Sequence, residues 1–404
     1  MLYSLYEQQR TWTEPLRRLA GVTRDALMPL TAAPEGAGLS HLTAGLDLLS
    51  RTALTHEHPG YHIDHVVIDG RPVPVTEEVA GTSPFCTLLR FRKPSIAGQP
   101  KVLVVAPLSG HFATLLRDTI RTLLADHDVF LTDWHNARDI PLTHGDFGFD
   151  DCVEHIINFL ETMGRGSHVI AVCQPCVQVL AAVAVMAETK NPAAPASMTL
   201  MAGPIDTRVQ PTKVNELALG HPMEWFEKNL ITEVPAGLKG AGRKVYPGFI
   251  QLSAFVSMNG SRHLKQHRDL YMHLATGDVD HANEIKTFYD EYFAVFDLPA
   301  RFYLETVQKV FQEADLARGV LTYKNRRVNP AAIKATALLT VEGEHDDICA
   351  VGQTLAAHDL CAGLKPFLKR HHLQAGTGHY GVFSGRRWRT QIYPIVRNLM
   401  LSAN

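Results

Sequence analysis

The stretch from His168 to Ala187, HVIAVCQPCVQVLAAVAVMA, constrains this chain more than any other. It opens with a β-branched apolar run, Val169 to Val172, which reads as a strand covered on both faces. Cys173 follows at once. Pro175 then stands where a first-turn proline belongs, its missing N–H harmless and its φ already helical. From Cys176 to Ala187 the residues are apolar nearly all round, which predicts a buried helix. A strand, a sharp turn and a helix thus carry one nucleophilic side chain at the turn.

That arrangement is the nucleophile elbow of an α/β-hydrolase, with a thiol where a serine is usual. A helix N-terminus favours a thiolate over a thiol. The N–H of Gln174 is placed to hold a tetrahedral oxyanion. Ala171 and Pro175 keep the small size needed on either side of the nucleophile, though neither is glycine. Other readings of Cys173-Gln-Pro-Cys176 are a thioredoxin-like redox pair, half of a zinc site, and two buried small hydrophobes. The remaining cysteines (Cys86, Cys152, Cys349, Cys361) are isolated singles, and far more chain flanks the motif than a thioredoxin unit has. Between the two thiols, Cys173 is the expected nucleophile. It is the first residue off the strand, whereas Cys176 falls inside the helix.

With 404 residues the chain can bury a large core in one domain with an insertion, or in two domains. A net charge of −2 makes no electrostatic case for nucleic acid. The first ten residues lack a signal peptide's basic start and apolar core, and no apolar run approaches a membrane span. Together with six cysteines, one of them needed as a thiolate, this points to a reducing cytoplasm.

Along the chain, residues 1–60 read as an arm of amphipathic helices. The two runs Ile63–Ile68 and Val73–Val79 flank Asp69-Gly70-Arg71-Pro72 as a hairpin. The histidines at 56, 58, 62 and 65 have no regular metal-ligand spacing, and no metal is expected. From Lys101 strands and helices alternate, which implies a parallel sheet with helices on both faces. An α/β-hydrolase core is expected over 61–206 and 336–404. The stretch Pro107 to His111 follows the strand 102–106, where the second oxyanion donor belongs; the backbone N–H of Ser109 is the candidate.

The βα rhythm stops over 207–335, a mainly helical and aromatic stretch expected to form a cap inserted late in the sheet. Trp225, Tyr289 and Phe293 are its candidates for substrate contact. The sheet resumes at Thr336–Val341 and runs into Glu342-Gly-Glu-His-Asp-Asp347. There Asp346 is preferred over Asp347, because Gly343-x-x-Asp346 matches a strand-end turn. A strand around Phe367–Leu373 leads to Gly376-Thr-Gly-His-Tyr-Gly381, a loop suited to bring His379 to a nucleophile, and Ser384–Leu401 reads as a closing helix. His345, His371 and His372 compete with His379 but are read as lying on or before strands. Nucleophile, acid and histidine come in the order of an α/β-hydrolase.

With those residues in place, the chain resembles the intracellular poly(3-hydroxybutyrate) (PHB) depolymerases. The resemblance rests on Val-Cys-Gln-Pro at 172–175, on residues 106–114 and 132–138, on Tyr289-Asp-Glu-Tyr292 with Phe302-Tyr-Leu304, and on residues 376–383. It implies a cytoplasmic enzyme acting on storage granules through Cys173, Asp346 and His379. The granule polymer is then its partner; nucleic acid and membrane are not, and a homodimer is left open. No cofactor is implied, although a thioester intermediate could pass its acyl group to coenzyme A as well as to water. The related polyhydroxyalkanoate synthases keep glycines around their cysteine, which this chain does not. A catalytically silent granule protein would have no need of the three residues in order.

Overall fold

The computed structural model describes residues 2–32, 37–258 and 260–403. Its organising element is an eight-stranded sheet. In chain order the strands are β1 (Thr76–Thr82), β2 (Cys86–Arg92), β3 (Lys101–Val105), β4 (Asp128–Trp134), β5 (His168–Val172), β6 (Ser197–Met201), β7 (Ala337–Gly343) and β8 (Lys369–Gln374). They lie in the order β1-β2-β4-β3-β5-β6-β7-β8. Strand β2 is antiparallel to both of its neighbours, and every other pairing is parallel. This mostly parallel sheet, flanked by helices and with the Cys173 turn at its centre, is an α/β-hydrolase fold.

The burial of each strand follows its place. Strands β5, β6 and β7 are buried at every position, as parallel strands covered on both faces must be. The outer strand β8 carries Lys369-Arg-His-His372 with several side chains exposed, because charge on a sheet edge is well solvated and deters edge-to-edge pairing.

The longer helices, in chain order, are α1 (Leu2–Leu27), α2 (Ala37–Ser50), α3 (Arg117–Leu123), α4 (Phe149–Met163), α5 (Cys176–Glu188), α6 (Lys213–Leu219), α7 (Met223–Leu230), α8 (Gly248–Met258), α9 (Gly260–Thr276), α10 (Val279–Tyr292), α11 (Ala300–Thr306) and α12 (Tyr393–Ser402). Helix α5 is buried along almost its whole length, and it packs on β5 and α4. The segment between β6 and β7 carries α6 to α11 and only short strands. Residues 33–36, between α1 and α2, lie outside the described residues.

Several expectations need correction. The run Val73–Val79 is not one strand. His65–Ile68 pairs with Arg71–Pro74 through an Asp69-Gly70 turn at φ 49° and 75°, and the chain then begins β1 as a separate element. The chain also makes a 3₁₀ turn at Ala113–Leu116 just before α3. The closing helix is interrupted by a wide turn at Trp388–Ile392 before α12. His345 lies after β7, not on or before a strand, and is exposed.

The N-terminal helices are less separate from the insertion than an arm suggests. Helix α2 packs against α9. Lys286 pairs with the buried Asp47 at 2.9 Å, and Arg51 pairs with Asp290 at 2.7 Å. The Tyr3 hydroxyl donates to Asp297 at 2.5 Å, and its ring joins Val234, Val245 and Phe249 in one apolar cluster. Asp297 is fully buried, and burial lifts its carboxyl to about 6.

Candidate active site

Cys173 is the first residue past β5, and it is held at φ 66°. For a residue with a Cβ this left-handed conformation costs on the order of 1–3 kcal/mol. Its neighbours compensate. The Cys173 N–H donates to the Met201 carbonyl at 2.8 Å, and the Cys173 carbonyl accepts from Cys176 N–H at 3.1 Å. The chain after β6 passes so close that a Cβ on Gly203 would meet the Cys173 carbonyl at 3.0 Å and collide with the Cys176 side chain. The elbow is therefore built from two adjacent strand ends.

Cys176 is fully buried, its Sγ directed at the Ala171 and Met201 carbonyls at 3.5 and 3.6 Å. Burial pushes its thiol well above the usual range. Both thiols are free. Cys173 is partly accessible, so the two side chains have different surroundings despite their spacing.

His379 and Asp346 meet from separate loops. His379 Nδ1 lies 2.7 Å from Asp346 Oδ2, while Asp346 Oδ1 accepts the N–H groups of Ile348 and Cys349 at 2.9 Å each. The imidazole also hydrogen-bonds Cys173. Burial works against a charged His379. The charges of Asp346 and Cys173 and their hydrogen bonds outweigh it, holding the imidazole well above the ordinary histidine range. Asp347, by contrast, is exposed. His371 and His372 sit on β8.

The acid and histidine loops brace each other. His345 N–H donates to the Thr377 carbonyl at 2.9 Å, and Glu344 N–H donates to the Gln374 carbonyl at 3.1 Å. A Cβ on Gly343 would sit 2.6 Å from the Thr377 carbonyl. Glu342, fully buried, accepts the N–H groups of Gly352, Thr354 and Leu355 at 2.8–2.9 Å. Its carboxylate thus closes the loop that carries Asp346. Thr354 in turn exchanges hydrogen bonds with Gly203 N–H and C=O at 2.9 and 3.0 Å. Neither Glu342 nor Thr354 was singled out from sequence. The only signal was a charged residue inside an apolar strand pattern.

The loop carrying Ser109 is fixed at both ends. Ala106 N–H donates to Thr132 Oγ1 at 2.9 Å, and Trp134 Nε1 donates to the Ala106 carbonyl at 2.9 Å. Gly110 turns at φ 83°, and its carbonyl accepts from Phe296 N–H at 2.9 Å. His111 is buried and hydrogen-bonds the backbone at Tyr292 and Ser109, yet burial still depresses it to about 4. A neutral imidazole therefore ties this loop to the end of α10. The Tyr292 ring stacks between His111 and His263, at 5.1 Å from each. The Gln174 carboxamide is buried, and neither of its polar atoms has a hydrogen-bond partner among the described residues.

The three candidate aromatics of the insertion are distributed unequally. Tyr289 and Phe293 belong to a cluster with Leu252, Tyr292 and Val295, against which Tyr380 packs. Tyr289 is buried, and its hydroxyl pairs with His263 at 2.9 Å and Gln266 at 3.2 Å. The cavity these two residues line, about 160 Å³, faces α2; it is not a cleft above Cys173. Trp225 stacks on His221 at 4.0 Å and packs edge-on against Phe226. None of its ring contacts reaches the site, so the structure does not join it to the other two. The apolar surface of the insertion is divided among separate clusters.

Of the early histidines, His56 contacts the Tyr6 hydroxyl at 2.9 Å and His58 contacts Asp133 at 3.0 Å. The other ring nitrogen of His56, Nδ1, is buried and has no hydrogen-bond partner among the described residues. Ligand atoms do converge at His273, Asp278 and His281. There each imidazole hydrogen-bonds Asp278 at 2.9 Å, and Asp278 caps α10.

Residues 202–404 match the family model described as PHB de-polymerase C-terminus. No curated protein matches the chain in sequence. Similar solved structures include a putative lipase from Acinetobacter baumannii AYE, with 13% identity, 81% of this chain and 93% of that one covered, and a TM-score of 0.46. Another is the monoacylglycerol lipase of Paleococcus ferrophilus, with 13% identity, 76% and 97% covered, and a TM-score of 0.42. A third is 2-hydroxy-6-oxo-6-phenylhexa-2,4-dienoate hydrolase from Rhodococcus sp. strain RHA1, with 12% identity, 82% and 99% covered, and a TM-score of 0.43. No helix among the described residues is long and apolar enough to cross a membrane.

Proposed function

Since the chain belongs to the PHB depolymerase family, a group of α/β-hydrolase enzymes, we propose that it cleaves the ester bonds of poly(3-hydroxybutyrate) storage granules in the cytoplasm through Cys173, His379 and Asp346. The observation that carries this reading is the contact of His379 with Asp346 on one side and Cys173 on the other, past the carboxyl ends of β8, β7 and β5 in one parallel run of the sheet.

The chemistry follows from those contacts. Asp346 fixes the His379 tautomer and stabilises the imidazolium. His379 draws the proton from Cys173, and the thiolate attacks the ester carbonyl. The N–H groups of Gln174 and Ser109 receive the oxyanion. The C–O bond breaks, the alkoxide fragment takes the proton from His379, and a thioester remains on Cys173. Water, activated by the same histidine, then releases the acid.

The test is incubation of the purified protein with amorphous granules, with and without coenzyme A, followed by product identification. Free 3-hydroxybutyrate and short oligomers are expected. Acyl-coenzyme A alone would reassign the acceptor. Polymer growth from an acyl thioester without granule consumption would favour the synthase reading instead.

A further inference from the structure

Beside His379 lies a cleft of about 520 Å³ whose charge is uneven. Its lining includes Arg262, Arg386 and Arg387 against the single carboxylate of Asp347, with His379 and Tyr380 on the wall. The arginines come from both sides. Arg262 projects from α9 of the cap, whereas Arg386 and Arg387 follow the histidine loop. Arg387 is committed to that loop, donating to the Gly376 carbonyl and to Thr377 Oγ1. Arg262 and Arg386 are exposed. Two guanidinium groups thus face a cavity that opens onto the group expected to protonate the leaving alcohol.

The direction of a polyester chain gives this asymmetry a meaning. In a poly(hydroxyacid) the acyl side of each ester runs toward the hydroxyl end, and the alkoxy side runs toward the carboxylate end. When the thiolate attacks and the C–O bond breaks, the departing fragment takes its proton from the histidine. That fragment therefore lies on the histidine's side and carries the chain's own terminal carboxylate. Guanidinium groups bind carboxylates through charge-assisted, often bidentate hydrogen bonds.

We propose that the cleft formed by Arg262, Arg386 and Arg387 beside His379 is a subsite for the terminal carboxylate, so that short units are removed from the carboxylate end of the chain. The proposal rests on the depolymerase reading above and narrows it to one direction of attack.

The experiment compares a linear 3-hydroxybutyrate trimer as the free acid and as its methyl ester, using the wild-type protein and R262Q/R386Q. Circular dichroism and thermal midpoints confirm that the variant is folded. The wild type is expected to favour the acid by about tenfold or more in kcat/KM, chiefly through KM. In the variant the acid-to-ester ratio should fall toward one. Equal wild-type rates on acid and ester overturn the subsite and leave the depolymerase reading intact. So does a variant that loses both substrates in proportion. If coenzyme A serves as acceptor and the variant raises its KM without changing the acid-to-ester ratio, the arginines serve an acceptor phosphate and the proposal fails. No cleavage of either trimer, with granules also untouched, removes the depolymerase reading and the subsite with it.

Discussion

His379 Nδ1 lies 2.7 Å from Asp346 Oδ2, with both side chains buried and the second oxygen of Asp346 held by two backbone N–H groups. That second anchor matters as much as the first. It leaves the carboxylate one orientation in which to meet the imidazole, and the imidazole one tautomer to offer Cys173. Asp346→Asn should keep the fold and lose activity steeply, by ~10⁴-fold if the aspartate acts as in other triads. Asp347→Asn should cost far less on a small ester. Steady-state rates for the two variants decide it, and equal, mild losses would remove Asp346 from the catalytic set.

The two cysteines should separate cleanly. Cys173→Ala is expected to abolish ester cleavage with an unchanged thermal midpoint. Cys176→Ala should retain most activity and lose about 1 kcal/mol of stability, because it empties part of a packed site under the elbow. Mass spectrometry of a quenched reaction should find the acyl adduct on Cys173. An adduct on Cys176, or a dead Cys176 variant, would mean that the elbow has been misread.

Stability should fall on the acid side. Burial depresses His111 and His127 to about 4 and His56 to about 2. Below about pH 6.5 the unfolded chain takes up protons that these buried imidazoles refuse, so stability declines as pH falls from 6.5 toward 4. Each contributes on the order of 3 kcal/mol at most. Asp297, lifted to about 6, acts in the opposite sense and offsets part of the loss between 6 and its ordinary value. Urea midpoints at pH 7 and pH 5 should show a net decrease, and His127→Gln should shrink it. A midpoint that rises toward pH 5 would contradict the burial argument.

Two glycine substitutions should have opposite signs. Gly343→Ala drives a Cβ into the Thr377 carbonyl and separates the acid loop from the histidine loop. Activity and stability should both drop, the latter by about 1–3 kcal/mol. Gly45 lies within α2 with nothing near its Cβ position. Gly45→Ala should add about 0.5–1 kcal/mol without touching activity. Thermal melts with parallel ester assays distinguish them.

The aromatics of the insertion should not behave alike. Trp225→Ala removes a ring stacked on His221, and action on granules and on a small soluble ester should fall in parallel. Phe293, which packs in the cluster that reaches Tyr380, is the better test of polymer recognition. Phe293→Ser should reduce granule degradation more than small-ester cleavage. Identical ratios for the two variants would deny the insertion any selective part.

What the sequence made legible follows the range of the forces involved. Val169 to Val172, Cys173 and the apolar run from Cys176 specify strand, turn and helix through interactions within a few residues. Their period and composition therefore revealed the elbow and, repeated along the chain, the alternating βα core. The order of Cys173, Asp346 and His379 could be matched to that core because each stands just past a strand end, a position encoded locally. Packing lay beyond such reasoning. Nothing near Glu342 announces that its carboxylate will cap three N–H groups ten to thirteen residues on, and nothing near His111 tells that Tyr292 will cover it. Trp225 and Phe293 look equivalent in the sequence, yet they end in different apolar clusters. Arg262 and Arg386 lie more than a hundred residues apart and line one cleft only because α9 and the histidine loop converge. Those outcomes depend on which surfaces exclude water from one another, and that is settled only when the whole chain has closed.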